Sequence, residues 1–136
     1  MIRTRVCDLL QIEHPIFLGG LGGGHTTPDL VAAVSDAGGF GAQGCHLLGP
    51  AQIAESVAAI RARTDKPFAL NFLLFLVEED CYAAALAQKP AAIVFAWPRP
   101  EQDMKRYIDR AHDAGCKTMV MVGGVPATIE SATVGG

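Results

Sequence analysis

The residues of this chain that could do chemistry are few and widely spaced. Gly19, Gly20, Gly22, Gly23 and Gly24 crowd into a loop between the apolar run Pro15-Ile16-Phe17-Leu18 and the segment Thr26-Thr27-Pro28-Asp29. That order reads as a buried strand, a loop of bare backbone and a helix start, with Thr27 as N-cap and Pro28 at the first helical position. Glycines carry no side chain to hold a ligand away, so such a loop can lie flat against a planar or anionic group. A flexible β-α turn is the plainer alternative. Asn71 is the one polar residue in Phe68-Ala69-Leu70-Asn71-Phe72-Leu73-Leu74-Phe75. A buried amide must find partners or cost roughly 1–3 kcal/mol. Near the C-terminal end of a parallel strand it also stands where α/β folds bind ligands. His25, His46 and Trp97 each follow a strand and are candidates for a substrate pocket, although each also reads as polar surface or a cap on the core. His14 lies at the opposite end of the first strand, and His112 sits among charged residues on a helix.

Several chemistries are not expected. No Ser-His-Asp set, carboxylate pair or metal-ligand spacing stands out, so no metal is assigned and no catalytic base is named. Cys7, Cys45, Cys81 and Cys116 are far apart and form no C-x-x-C pair, which argues against a zinc site. With no secretory leader in view they read as reduced thiols, and a cytoplasmic location is expected. Gly39-x-Gly41-x-x-Gly44 has the spacing of a dinucleotide fingerprint, but its glycines fall inside a strand instead of after one. A small-residue strand in close packing is the better reading. The net charge is −3 and only 18% of residues are charged, so no nucleic-acid partner is expected. The longest apolar run, Phe72 to Val77, is too short to span a bilayer.

The elements that must position these residues alternate. Val6, Leu9, Leu10 and Ile12 suggest a helical turn closing one end of the core. Strands are expected near Pro15–Leu18, Gly39–Gln43, Phe68–Leu73, Ala92–Phe95 and Thr118–Val122. Helices are expected over Pro28–Ala37, Pro50–Arg63, Glu78–Gln88 and Glu101–Ala114, with a short one from Pro126. Leu30, Val31 and Val34 form the apolar stripe of the first of these. Five β-α units of about 25–30 residues imply a parallel sheet with right-handed crossovers. A doubly wound sheet and a part of a (β/α)8 barrel, which typically needs about 250 residues, are equally compatible.

Taken together, several stretches resemble the nitronate monooxygenase (2-nitropropane dioxygenase-like) family, N-terminal portion only. They are Ile12-Glu13-His14-Pro15-Ile16, the Gly19–Gly24 loop, Thr27 through Gly41, Thr64 through Asn71, Phe95-Ala96-Trp97 and Ala111 through Lys117. The resemblance implies an α/β fold, a partial (β/α)8 TIM barrel of about five β-α units, forming a single incomplete domain over 1–136. It implies FMN as cofactor, with Gly19, Gly20, Leu21, Gly22 and Asn71 against the flavin ring. Leu21 stands where the family usually has methionine. The implied reaction is oxidation of an alkyl nitronate, with O2 reoxidising the flavin. The family's base histidine and its phosphate-holding loops are expected in segments not among these 136 residues, so weak or no activity is expected of this chain alone. Two alternatives follow: a non-catalytic half-barrel that self-associates through open sheet edges, and a relative acting as a flavin-dependent enoyl reductase, which would need NAD(P)H.

Overall fold

The computed structural model describes residues 2–126 and 132–133. The helix expected from Pro126 lies largely outside the described residues. Helix α1 (Arg5–Leu10) is followed by α2 (Pro28–Asp36), β1 (Gly41–Gly44), α3 (Pro50–Arg61), β2 (Phe68–Leu73), α4 (Glu79–Ala87), β3 (Ala92–Ala96), α5 (Met104–Asp113) and β4 (Lys117–Val120). A single 3-10 turn, Leu74–Leu76, joins β2 to α4. All pairings are parallel and the strand order is β1-β2-β3-β4.

That order decides between the two folds left open by the sequence. Each strand neighbours the next, with no reversal of direction. Val31 of α2, Val57 of α3, Tyr82 of α4 and Ile108 of α5 all join one core cluster, so the four helices cover the same face of the sheet. A doubly wound sheet puts helices on both faces. Winding in one sense with helices outside is the barrel arrangement, and this is a partial (β/α)8 barrel.

Strand alternation separates two kinds of packing. Phe68, Leu70 and Phe72 of β2, with Ile93 and Phe95 of β3, point to the helices and are buried. The opposite, inner face is lined by small residues. Ala42, Ala69 and Ala92 pack there against Cys7, Leu10 and Ile12, so α1 and Ile12 just beyond it close the bottom of the sheet. Leu9 faces solvent instead.

The expected strand at Pro15–Leu18 is reduced to one bridge, Phe17 with Phe40. Phe40 N–H donates to Ile16 O at 2.9 Å and Leu18 N–H donates to Phe40 O at 3.0 Å. No ladder extends from it. Before the bridge, Gly38 O accepts from both Glu13 N–H and His14 N–H. After it, the chain leaves at Gly19 to cross over β2.

Helix α2 buries Val31, Ala32 and Ser35, and Leu30 is exposed, which corrects the expected stripe. Ser35 replaces an apolar residue because its Oγ donates to Pro67 O (3.0 Å) and accepts from Gly41 N–H (3.2 Å). Thr27 caps the helix through Leu30 N–H at 3.2 Å. Helix α5 starts at Met104, later than expected, because Asp103 takes the cap by accepting from Arg106 N–H. Helix α3 ends at Arg61, two residues early, and the last strand is shifted to Lys117–Val120. All four cysteines are free and buried. Burial pushes the Cys45 thiol up to about 12, and those of Cys81 and Cys116 upward as well, which favours the protonated thiol near neutral pH.

Candidate functional site

At the C-terminal ends of the strands the inner face opens into a cavity of about 400 Å³. Its floor is Ala42, Asn71, Val94 and Met119, and its rim includes Leu73, Ala96, Trp97 and Met121. Phe17 to Leu21 roof one side. Among the described residues no titratable side chain lines it, and the lining is apolar with a single amide inside.

The glycine loop and the amide meet directly. A Cβ placed on Gly20 would lie 2.4 Å from Asn71 Cβ, far inside van der Waals contact. Only glycine lets the loop backbone cross here. Asn71 is 4% exposed, and Nδ2 donates to Val94 O at 3.3 Å. Among the described residues that is the one hydrogen bond of its side chain, so Oδ1 remains available to a ligand. Gly22 has a different cause: a Cβ there would lie 1.6 Å from His46 Nε2, so the imidazole fills the space a side chain would take.

The candidates from sequence divide accordingly. Gly19, Gly20, Leu21, Asn71 and Trp97 line the cavity. Gly22 lies behind it, against His46. His46 itself, with Cys45, Phe72, Val77, Glu78 and Cys81, borders a second space of about 240 Å³. Its Nδ1 is buried without a partner among the described residues. His25 is exposed beside Gly23 and lines neither space. Trp97 has φ +51°, unusual for an aromatic residue, and its ring lies 6.1 Å from that of Phe75. A conformation of that kind costs about 1–3 kcal/mol and persists when its surroundings impose it.

Met119 and Met121 were not singled out from sequence. Their signal was strand alternation: counted from Val120, which faces the helices, both fall on the inner face. Thioethers adapt to flat aromatic surfaces, so these residues offer the soft contact that Leu21 does not.

A parallel sheet wound one way, with an apolar slot at the C-terminal strand ends, places the chain among the (β/α)8 barrels. The chain belongs to the nitronate monooxygenase family, whose model matches residues 3–133. It is 30% identical to a probable nitronate monooxygenase of Staphylococcus saprophyticus, over 92% of this chain and 38% of that protein. Identity to a probable nitronate monooxygenase of Staphylococcus aureus is 31%, over 72% of this chain and 26% of the other. Among solved structures, FabK from Thermotoga maritima superposes with a TM-score of 0.88 at 33% identity, over 99% of this chain and 42% of that one. A nitroalkane oxidase from Streptomyces ansochromogenes shares the fold, with a TM-score of 0.79 at 21% identity, over 97% of this chain and 46% of that one. The chain thus spans less than half the length of each of these proteins.

Proposed function

We propose that the cavity is the ring-binding part of a flavin site, with FMN as the cofactor, in an enzyme that oxidises alkyl nitronates with O2. The observation that carries this reading is the crossing of Gly20 over Asn71 at the mouth of an uncharged slot. The slot fits a flat, largely apolar ring: bare backbone on one side, Val94 and the methionines on another, and one amide to fix orientation. Its volume lies within the range of small-molecule sites, about 300–1,000 Å³. A bound flavin would supply the redox chemistry, taking electrons from the substrate and giving them to O2. Gly19, Gly20 and Leu21 would pack on the ring, Asn71 would hydrogen-bond its polar edge, and Trp97 would wall the substrate side. Among the described residues no side chain lining the cavity can take a proton, so weak or no turnover of nitronate is expected of the chain alone. Titration of the protein with FMN, followed by quenching of flavin fluorescence, tests the reading. Saturable quenching is expected, and unquenched flavin would contradict it.

A second reading rests on the exposed rim. Phe17 is 39% exposed, Leu21 52%, Met121 55% and Trp97 60%, and they edge one cavity. Apolar patches and open strand edges invite association. The chain by itself is expected to self-associate across this face, and sedimentation would show a species heavier than one chain. A monomer persisting at high concentration would rule that out.

A further inference from the structure

The glycine loop is fastened to the sheet by a set of buried hydrogen bonds that no local sequence pattern announces. Thr26 is 2% exposed, and its Oγ1 donates to Leu21 O at 2.9 Å. The same oxygen accepts from Gly44 N–H at 2.9 Å. Gln43, 4% exposed, donates from Nε2 to Thr26 O at 2.9 Å and to Gly44 O at 3.1 Å. Both of those partners are carbonyls, which fixes the amide orientation. Backbone packing supports the same contact: a Cβ on Gly44 would lie 2.5 Å from Leu21 O, so the loop rests on the end of β1.

Gln43 Oε1 has no partner among the described residues. A buried acceptor left unpaired is unfavourable, and an apolar residue would avoid that penalty. What the amide provides in return is its two N–H groups, and both are spent where the loop's far end meets β1. Glycine also loses more freedom on ordering than any other residue. A loop ordered before its ligand arrives does not subtract that loss from the affinity.

We propose that Thr26 and Gln43 are positioning residues, a latch that presets the Gly19–Gly24 loop for a planar ligand. They act through Leu21 and Gly44; neither lines the cavity. That the ligand is a flavin rests on the reading above; the latch itself does not.

The test uses Thr26→Val, which removes both hydroxyl bonds at nearly constant volume, Thr26→Ser as the conservative rescue, and Gln43→Leu. The first readout is NMR of the full chain without ligand. In Thr26→Val and Gln43→Leu, order parameters over residues 19–24 should fall from about 0.85 to below about 0.6. The Gly44 amide should exchange at least about tenfold faster in Thr26→Val, with the amides of Phe72 and Phe95 unchanged. Thr26→Ser should restore both. Should Thr26→Val fail to fold, Gln43→Leu and Thr26→Ser carry the comparison. An ordered loop in the variants, or a loss of protection throughout the sheet, would overturn the latch, the second because it marks a merely structural role. The second readout is FMN affinity, expected to weaken about tenfold in Thr26→Val. If the loop loosens as stated but the unaltered chain quenches no flavin, the latch stands and the flavin reading falls. If the unaltered chain binds FMN and the variants bind it equally with an ordered loop, the latch falls and the flavin reading stands.

Discussion

Gly20→Ala should weaken flavin binding about a hundredfold, equivalent to roughly 2.7 kcal/mol, while the sheet stays folded. The new methyl group would lie 2.4 Å from Asn71 Cβ and 2.6 Å from Asn71 Oδ1. Neither group can retreat easily, because Asn71 is 4% exposed and is held in the middle of β2 between β1 and β3. Overpacking of this kind costs about 1–3 kcal/mol. The loop is the part able to move, since Gly19 and Gly20 lie between its attachments to the sheet, the Phe17 bridge on one side and the Thr26–Gln43 latch behind Leu21 on the other. It should lift from the cavity and take the ring-facing backbone with it. The double variant Gly20→Ala/Asn71→Gly removes the Asn71 Cβ together with the amide and so relieves the clash, and its stability should recover in a non-additive way. Flavin affinity should not recover, because the amide is gone. Urea unfolding and fluorescence titration of Gly20→Ala, Asn71→Gly and the double variant check both statements. Wild-type affinity in Gly20→Ala would show that the crossing is not part of the site.

Tyr82→Ala should cost about 3–5 kcal/mol, the range for truncating a large buried ring. Tyr82 is fully buried on α4 at the centre of the outer core. Its ring meets Phe72 edge-on at 5.7 Å, Tyr107 at 5.3 Å and Phe95 at 6.0 Å. Its hydroxyl donates to Tyr107 O at 2.6 Å, and the Arg110 guanidinium lies 4.9 Å over the ring. Burial holds the phenol well above its ordinary pKa, so it remains a hydrogen-bond donor at neutral pH. One side chain therefore joins β2, β3, α4 and α5. Tyr82→Phe keeps the ring and loses only the hydroxyl bond, and about 1–2 kcal/mol is expected. Urea unfolding separates the two, and a loss below about 1 kcal/mol for Tyr82→Ala would mean that the ring is not central to the core.

What could be read from the sequence follows from how local each signal is. Strand β2 matched its expected span, Phe68–Leu73, because an apolar run buried on both faces needs no information from elsewhere. Gly38 and Gly115 marked helix ends as expected, with φ of +84° and +81°. The Gly39–Gly44 spacing was rightly discounted: Gly41 is small because a Cβ would lie 2.4 Å from Val31 O, which is helix-strand packing. The misses are long-range. Ser35 was not singled out, and its bond to Pro67 reaches thirty-two residues along the chain. Thr26 and Gln43 are separated by seventeen residues, and nothing in either neighbourhood shows that they touch. Pro15–Leu18 has the composition of a strand, yet Gly38 O is taken by Glu13 and His14, which leaves only one bridge. The contact of Gly20 with Asn71 joins two features that the sequence showed singly. Their meeting depends on the barrel winding, which local periodicity could not choose.

The central claim, that the Gly19–Leu21 backbone and Asn71 hold a flavin ring, is tested most directly by titrating the unaltered chain with riboflavin and with FMN in parallel. Riboflavin carries the ring without the phosphate. Saturable fluorescence quenching by both, with affinities within about threefold of one another, well under 1.4 kcal/mol apart, is expected if the described residues contact only the ring. Quenching by neither ligand would contradict the account.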